Sequence, residues 1–229
     1  PEEVSDLIKA SGLSGRGGAF FPTGLKWEFV RKDPKTPRYV VVNGDESEPG
    51  TYVNRHSLEL DPHLMLEGMI IAAFACNAER GYVYIRGEYG LAHERAQAAI
   101  RDAYDAGYLG SDILGKTGFN FNVTFRRGAG AYIVGEETAL FNSLEGKRGT
   151  PRYKPPFPTN VGVWGMPTAI NNVETLSAVP SIVEQGAEWF QSLGRGEATG
   201  TKMYCLSGHV EKPGLHELPM GITARELIY

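Results

Sequence analysis

The spacing of apolar positions changes along this chain, and each change marks an element. In "RYVVVNG" (Arg38–Gly44) three valines run together and end at Asn-Gly, which predicts a buried strand. "GYVYIRGE" (Gly81–Glu88) and "FNVTFRRG" (Phe121–Gly128) repeat that pattern and predict two more strands. Between and after them the spacing becomes helical. "PHLMLEGMIIAAFACNA" reads as a buried helix, "LAHERAQAAIRDAYDAG" as an amphipathic helix stopped by Gly107, and "EETALFNSLEG" as a third. The opening "PEEVSDLIKASG" reads as an amphipathic helix closed by Gly12. "KRGTPRYKPPFPTNVGVWGMPTAINN" predicts a long functional loop, and "NNVETLSAVPSIVEQGAEWFQSLG" a helix bent at Pro180.

This β-α-β-α rhythm predicts an α/β domain, a mostly parallel sheet with helices on its faces. Ligands of such sheets sit beyond the carboxyl ends of the strands. The segments that follow the three strands are "NGDESEPG", "RGEYG" and "RGAGAYIVGEE", all rich in glycine and polar groups, and all expected along one edge. "TKMYCLSGHVEKPGLHELPMG" has strand–turn character and reads as the start of a β-rich second unit.

Composition narrows the function classes. With 41% hydrophobic and 22% charged residues among 229, the chain can bury a core and is not disordered by composition. A net charge of −4 argues against a broad nucleic-acid or anionic-membrane surface. The run Leu64–Cys76 is too short to span a bilayer and is interrupted by Glu67. The acidic start is unlike a signal peptide. Cys76 and Cys205 are far apart with no CxxC, which speaks against a disulfide scaffold and against a metal or iron–sulfur site within the chain. Two free thiols fit a reducing compartment. The chain begins without Met and stops inside "MGITARELIY", so it is expected to be a fragment of a longer protein.

Four motifs carry candidate chemistry. In "GRGGAFFPTGLKW" (Gly15–Trp27) glycine amides could face an anion, Lys26 could neutralise a phosphate, and Phe20, Phe21 or Phe29 could stack on a planar ring; the alternative is a surface turn before core residues. It is neither a P-loop nor GxGxxG. In "NGDESEPG", Asp45, Glu46 and Glu48 could bind a metal, accept from hydroxyls, or form a solvated turn. In "RGAGAYIVGEETAL", Gly128, Gly130 and Gly135 precede Glu136 and Glu137 at a helix start. Capping accounts for one glutamate; a nucleotide-type ligand over the helix end accounts for the glycines too. "KPPFP" holds Phe157 between prolines near Lys154. "INNVET" sets Asn171, Asn172 and Thr175 at a helix start, as a cap or as partners for a flavin edge. The five histidines form no catalytic spacing.

Read together, these segments with "PHLMLEGM" and "YIRGEY" resemble the flavin-carrying, NADH-oxidising subunit of respiratory complex I, whose motifs are shared by flavoprotein subunits of NAD-linked hydrogenases and formate dehydrogenases. The resemblance implies a Rossmann-like FMN- and NADH-binding domain with helices on both faces (residues 28–195), preceded by a helix and glycine-rich loop (1–27) and followed by a truncated start of a ubiquitin-like β domain (196–229). It implies a further [4Fe-4S] domain whose CxxCxxC ligands this chain lacks. Carried over by position, it assigns FMN contacts to Gly15, Arg16, Gly17, Gly18, Lys26, Asn43, Asp45, Glu46, Ser47, Tyr132, Gly135, Glu136, Asn171, Asn172 and Thr175. It assigns NADH contacts to Phe21, Phe29, Glu48, Glu137, Lys154 and Phe157, and no catalytic acid or base, since hydride passes between the cofactors. The implied partners are the other subunits of an electron-transfer complex, including a [2Fe-2S] thioredoxin-like one, with neither nucleic acid nor membrane insertion. The implied place is peripheral, on the cytoplasmic side of an inner membrane or the mitochondrial matrix side.

Two positions depart from the family pattern. Phe20 stands where the family has glycine, and Val134 where it often has cysteine. A left-handed backbone at position 20 would cost a side chain on the order of 1–2 kcal/mol. A ring that blocked the site would make the chain a non-catalytic assembly paralogue. The flavin module of an NAD-reducing hydrogenase or formate dehydrogenase is the other alternative.

Overall fold

The computed structural model describes residues 1–115 and 118–229. Its elements are α1 (Glu2–Ser11), α2 (Thr23–Lys32), β1 (Tyr39–Gly44), α3 (Val53–Leu60), α4 (Pro62–Cys76), β2 (Arg80–Ile85), α5 (Gly90–Asp105), β3 (Asn122–Arg127), α6 (Glu137–Leu144), β4 (Thr168–Asn172), α7 (Val173–Ser177), α8 (Val179–Gln185), α9 (Ala187–Ser192), β5 (Thr201–Leu206), β6 (Gly214–Pro219) and α10 (Ala224–Ile228). Strands β1 to β4 form one sheet in the order β3-β2-β1-β4, every pair parallel. Strands β5 and β6 form a separate antiparallel hairpin.

Alternation along β1 sorts its side chains to two cores. Val40 and Val42 face the larger one, with Val83, Ile85 and Val123, under α1, α2, α4, α5 and α7 to α9. Tyr39 and Val41 face a smaller one, shared with Ile170, Val163 and the α6 residues Leu140 and Phe141. Helices therefore cover both faces of the sheet, unequally. Packing is close where α4 meets α7: a Cβ on Gly68 would stand 2.0 Å from the Leu176 carbonyl oxygen, so only glycine fits.

Three features differ from the sequence expectation. Thr168–Asn172, expected as the end of a loop, is strand β4 and pairs with β1. Its five residues follow prolines and glycines and end in two asparagines, so its pairing comes from the register offered by β1 rather than from propensity. Helices α2 and α3 go beyond the expected elements, because the glycines before α2 and the acidic turn before α3 dominate the local pattern. The helix expected after Asn172 is three short ones: Pro180 stands in the first turn of α8, and Gly186 at φ +92° parts α8 from α9. Among the described residues no helix is long and apolar enough to cross a membrane.

Candidate functional site

In this strand order the chain leaves β1 on one side toward β2 and returns on the other as β4, so the sheet's switch point lies between β1 and β4. A cavity of about 1090 Å³ opens there. That is at the upper end of ligand pockets, which run roughly 300–1,000 Å³. Its walls are the glycine-rich loop before α2, the acidic loop after β1, the segment before α6, the end of β4, and β5 of the hairpin.

Each wall is held by identifiable bonds. The glycine-rich loop is pinched at its base, where the Gly15 N–H donates to the Phe21 carbonyl and the Thr23 N–H to that of Leu13, both at 2.9 Å. Its middle is tethered by the Arg16 N–H donating to Thr175 Oγ1 at 2.8 Å. Between these anchors the Gly17 and Gly18 N–H groups meet no protein acceptor among the described residues. Gly18 takes φ +111° with nothing within 4 Å of where a Cβ would stand, so the loop offers open amides to the cavity. The Arg16 guanidinium turns elsewhere: it donates to Ser14 Oγ at 2.8 Å and to the Thr199 and Thr201 carbonyls at 3.2 and 3.0 Å.

The carboxylates divide by task. Glu46 accepts from the Asn54 and Arg55 N–H groups at 3.0 and 3.1 Å and caps α3; Glu136 accepts from the Thr138 and Ala139 N–H groups at 2.9 Å and caps α6. Asp45 caps nothing. It is buried, its nearest partner is Ser47 Oγ at 3.4 Å, and burial pushes its carboxyl up to about 6, with Ser47 and Arg86 pulling the other way. Among the described residues no group of three or more His, Cys, Asp or Glu side chains is placed to hold a metal. Glu137 pairs with Lys154 Nζ at 2.5 Å, and Tyr132 donates to Glu48 at 2.5 Å.

At the end of β4 the Trp27 indole N–H donates to Asn171 Oδ1 at 3.0 Å. That leaves the Asn171 amide donors without a protein partner among the described residues. Asn172 caps α7 through the Glu174 N–H at 2.9 Å, and Asn43 donates to the Gly135 carbonyl at 2.9 Å. Lys26, expected at a phosphate, has its ammonium anchored on the Ile170 carbonyl at 2.8 Å. Burial holds its pKa below the ordinary lysine value, against the pull of Glu137.

The aromatic candidates are less gathered. Phe21 lines the cavity, while Phe29 and Phe157 stand outside it. Phe29 leans on Phe21, ring centroids 6.5 Å apart. Phe20 takes φ +53°, in the left-handed region that a glycine adopts without strain. It lines the cavity without filling it. The sequence reading missed a whole wall: Lys202, Met203, Tyr204 and Cys205 of β5, and Glu174. Nothing local marks them, since β5 reads as part of another unit.

The model of the Nuo51 FMN-binding domain family matches residues 8–181. The chain belongs to this family. Among its Nuo51 relatives, the NADH-quinone oxidoreductase F 2 subunit of Rhizobium meliloti (strain 1021) is 57% identical over 228 residues, 100% of this chain and 54% of that protein. The NADH-quinone oxidoreductase F subunit of Escherichia coli (strain K12) is 53% identical over 229 residues, 100% of this chain and 51% of that protein. The chain thus spans about half the length of the curated relatives it matches. Among solved structures, the Nuo51 fold here is similar to an NAD+-reducing [NiFe]-hydrogenase in its H2-reduced state, with a TM-score of 0.91 and 40% identity over 100% of this chain and 38% of that one.

The donor set fits FMN. Unpaired glycine amides suit a phosphate, the underfilled Asp45 carboxyl suits ribityl hydroxyls, and the free Asn171 donors with Lys26 suit the carbonyl edge of a flavin ring.

Proposed function

We propose that this chain is the FMN- and NADH-binding module of an NADH-quinone oxidoreductase flavoprotein. The observation that carries the reading is convergence: the candidate flavin residues from four separate segments line one cavity at the switch point of a Nuo51-type sheet. FMN, when bound, supplies the hydride acceptor and the exchange between two-electron and one-electron transfer. The chain's own residues bind and orient. Gly17 and Gly18 receive the phosphate, Asp45 and Ser47 the ribityl hydroxyls, and Asn171 with Lys26 the ring edge. Phe21, backed by Phe29, offers a face to the adenine, with Phe157 beyond. Glu48 and Glu137 accept from the dinucleotide's ribose hydroxyls once released from Tyr132 and Lys154. Alignment of the two rings supplies the rate, and no side chain need move a proton. Iron–sulfur clusters outside this chain, a [4Fe-4S] cluster in the full-length protein and a [2Fe-2S] thioredoxin-like partner subunit, would take the electrons onward, in an assembly peripheral to the membrane. Residues 196–229 open the ubiquitin-like domain of the longer protein.

Under anaerobic conditions the FMN-reconstituted protein is expected to show flavin absorbance that bleaches on addition of NADH. A preparation left colourless after reconstitution would overturn the reading in favour of an assembly paralogue. The Glu137 carboxylate should repel a 2′-phosphate, so Glu137→Gln is expected to narrow the NADH-over-NADPH preference about tenfold, one charge repulsion of ~1.4 kcal/mol. Unchanged discrimination, read from bleaching titrations, refutes the ribose assignment. The hydrogenase likeness fits a second reading, electron flow toward NAD+, only as that of a related family; hydrogen-dependent NAD+ reduction by the assembled complex would select it.

A further inference from the structure

Parallel sheets are ordinarily covered on both faces. Here the second face is covered only in part. Its core takes Tyr39 and Val41 from β1, Tyr84 from β2 and Ile170 from β4, and no residue of β3. Helix α6 reaches as far as β2, where Tyr84 Oη and Ser143 Oγ lie 2.9 Å apart. Beyond it, Thr124 and Arg126 of β3 stand in register beside Tyr82 and Tyr84, turned to the same face, and both are exposed. The bare strip over β2 and β3 is roughly 10 Å wide, about one helix diameter.

This strip carries aromatic and cationic groups that the chain itself leaves unused. Trp164 stands at its rim in a left-handed turn, φ +50°, which glycine would adopt without strain. Its ring rests on Tyr82 and Tyr39, centroids 5.3 and 5.6 Å away, yet stays 45% exposed. Its indole N–H has no protein partner among the described residues. Arg80 and Arg126 are exposed and form no hydrogen bond or ion pair among the described residues. Both lie near the Tyr82 phenol: burial, then Tyr39, pushes its pKa up, and the two guanidinium charges pull it back. In a chain of net charge −4, two unpaired arginines flanking one ring are a local excess of positive charge. Trp, Tyr and Arg are also the side chains most enriched at the energetic centres of protein interfaces.

We infer that this strip is a docking surface for an acidic amphipathic helix of a partner protein. The helix lies beside α6 over β2 and β3, sets an apolar residue against Trp164 and Tyr82, and meets Arg80 and Arg126 with carboxylates. The strip lies outside the cavity, so this role stands apart from the flavin reading. A helix over the face fits better than an added strand, because the free edge of β3 is blunted. There the Val123 N–H donates to the Tyr104 hydroxyl at 2.9 Å, and Phe121 bridges to Gly110. A second copy of this chain fits poorly, since a two-fold contact through the strip would set the same arginines against each other.

The test uses the full-length protein in its assembled complex. Arg80→Lys and Arg126→Lys keep the charge and supply an amine, which a carbodiimide joins to a carboxylate in contact with it. Each variant is expected to gain a coupling that the wild type lacks, to another protein, on a segment whose acidic residues recur every three or four positions. Oxidative labelling of Trp164 should fall several-fold in the complex relative to the protein freed from its partners in high salt. Thr124→Glu, at the middle of the strip, sets a like charge against the acidic helix. It should lower the partner retained at least about tenfold, with the melting temperature of the freed protein unchanged. Retention unaffected by Thr124→Glu, or Trp164 labelled equally in the two states, would overturn the inference. So would coupling only to a second copy, only to another part of the same chain, or to nothing. If Thr124→Glu does not fold, the coupling and the labelling decide on their own.

Discussion

Asp45 stands at the end of β1 with one hydroxyl partner at 3.4 Å, and burial lifts its carboxyl from an ordinary 3.8 to about 6. A carboxyl raised on folding binds its proton more tightly in the native state than in the unfolded chain. Between those two values, stability therefore falls as pH rises, and the full penalty is present above about 6. Asp45→Asn removes that penalty. It should raise the melting temperature of the ligand-free protein at pH 8, with a gain that shrinks toward pH 4; a gain independent of pH contradicts the burial argument. The acidic cluster is visible in the sequence, but its division of labour is not. Asp45 and Glu46 are adjacent, yet one is left underfilled and the other is consumed by a helix cap. That difference depends on where α3 begins, and nothing in "NGDESEPG" specifies it.

The caps of α3 and α6 are the structural devices that shape the acidic loops. Glu46 reaches α3 from seven positions before its first residue and also accepts from the Tyr89 hydroxyl at 3.1 Å. Burial, then the Glu46 charge, pushes the Tyr89 phenol up to about 12. Glu46→Ala should cost about 1–2 kcal/mol in urea denaturation, the loss typical of a helix cap, and should lower the Tyr89 titration midpoint. An unchanged denaturation midpoint would show that water replaces the carboxylate. Long-range caps of this kind are not legible, because capping signatures in sequence are local. Glu136, directly before α6, is legible as a capping candidate. Strand β4 lies at the opposite extreme: its residues have no strand signature, and only the open edge of β1 makes them a strand.

At the scale of the molecule, the hairpin closes the cavity, and Arg16 is its bolt. The guanidinium spans Ser14 on the glycine-rich loop and the carbonyls of Thr199 and Thr201 at the root of β5. Arg16→Lys replaces a fork by a point donor and cannot hold both sides. Amide hydrogen exchange in β5 and β6 should then quicken at least about tenfold while β1 to β3 stay protected, as expected for local opening. Uniform loosening across both sheets would refute the bolt.

Read in order, the residues already disclose the rhythm of strands and helices, the edge on which the polar loops gather, and the family. These are local or nearly local properties: side-chain period, turn chemistry, and motif spacing. The assembled fold alone determines which carboxylate is capped and which is free, that five unpromising residues complete the sheet, and that a lysine from the hairpin faces the glycine-rich loop. Those outcomes rest on contacts between positions from eight to nearly two hundred residues apart, whose geometry exists only once the core has packed.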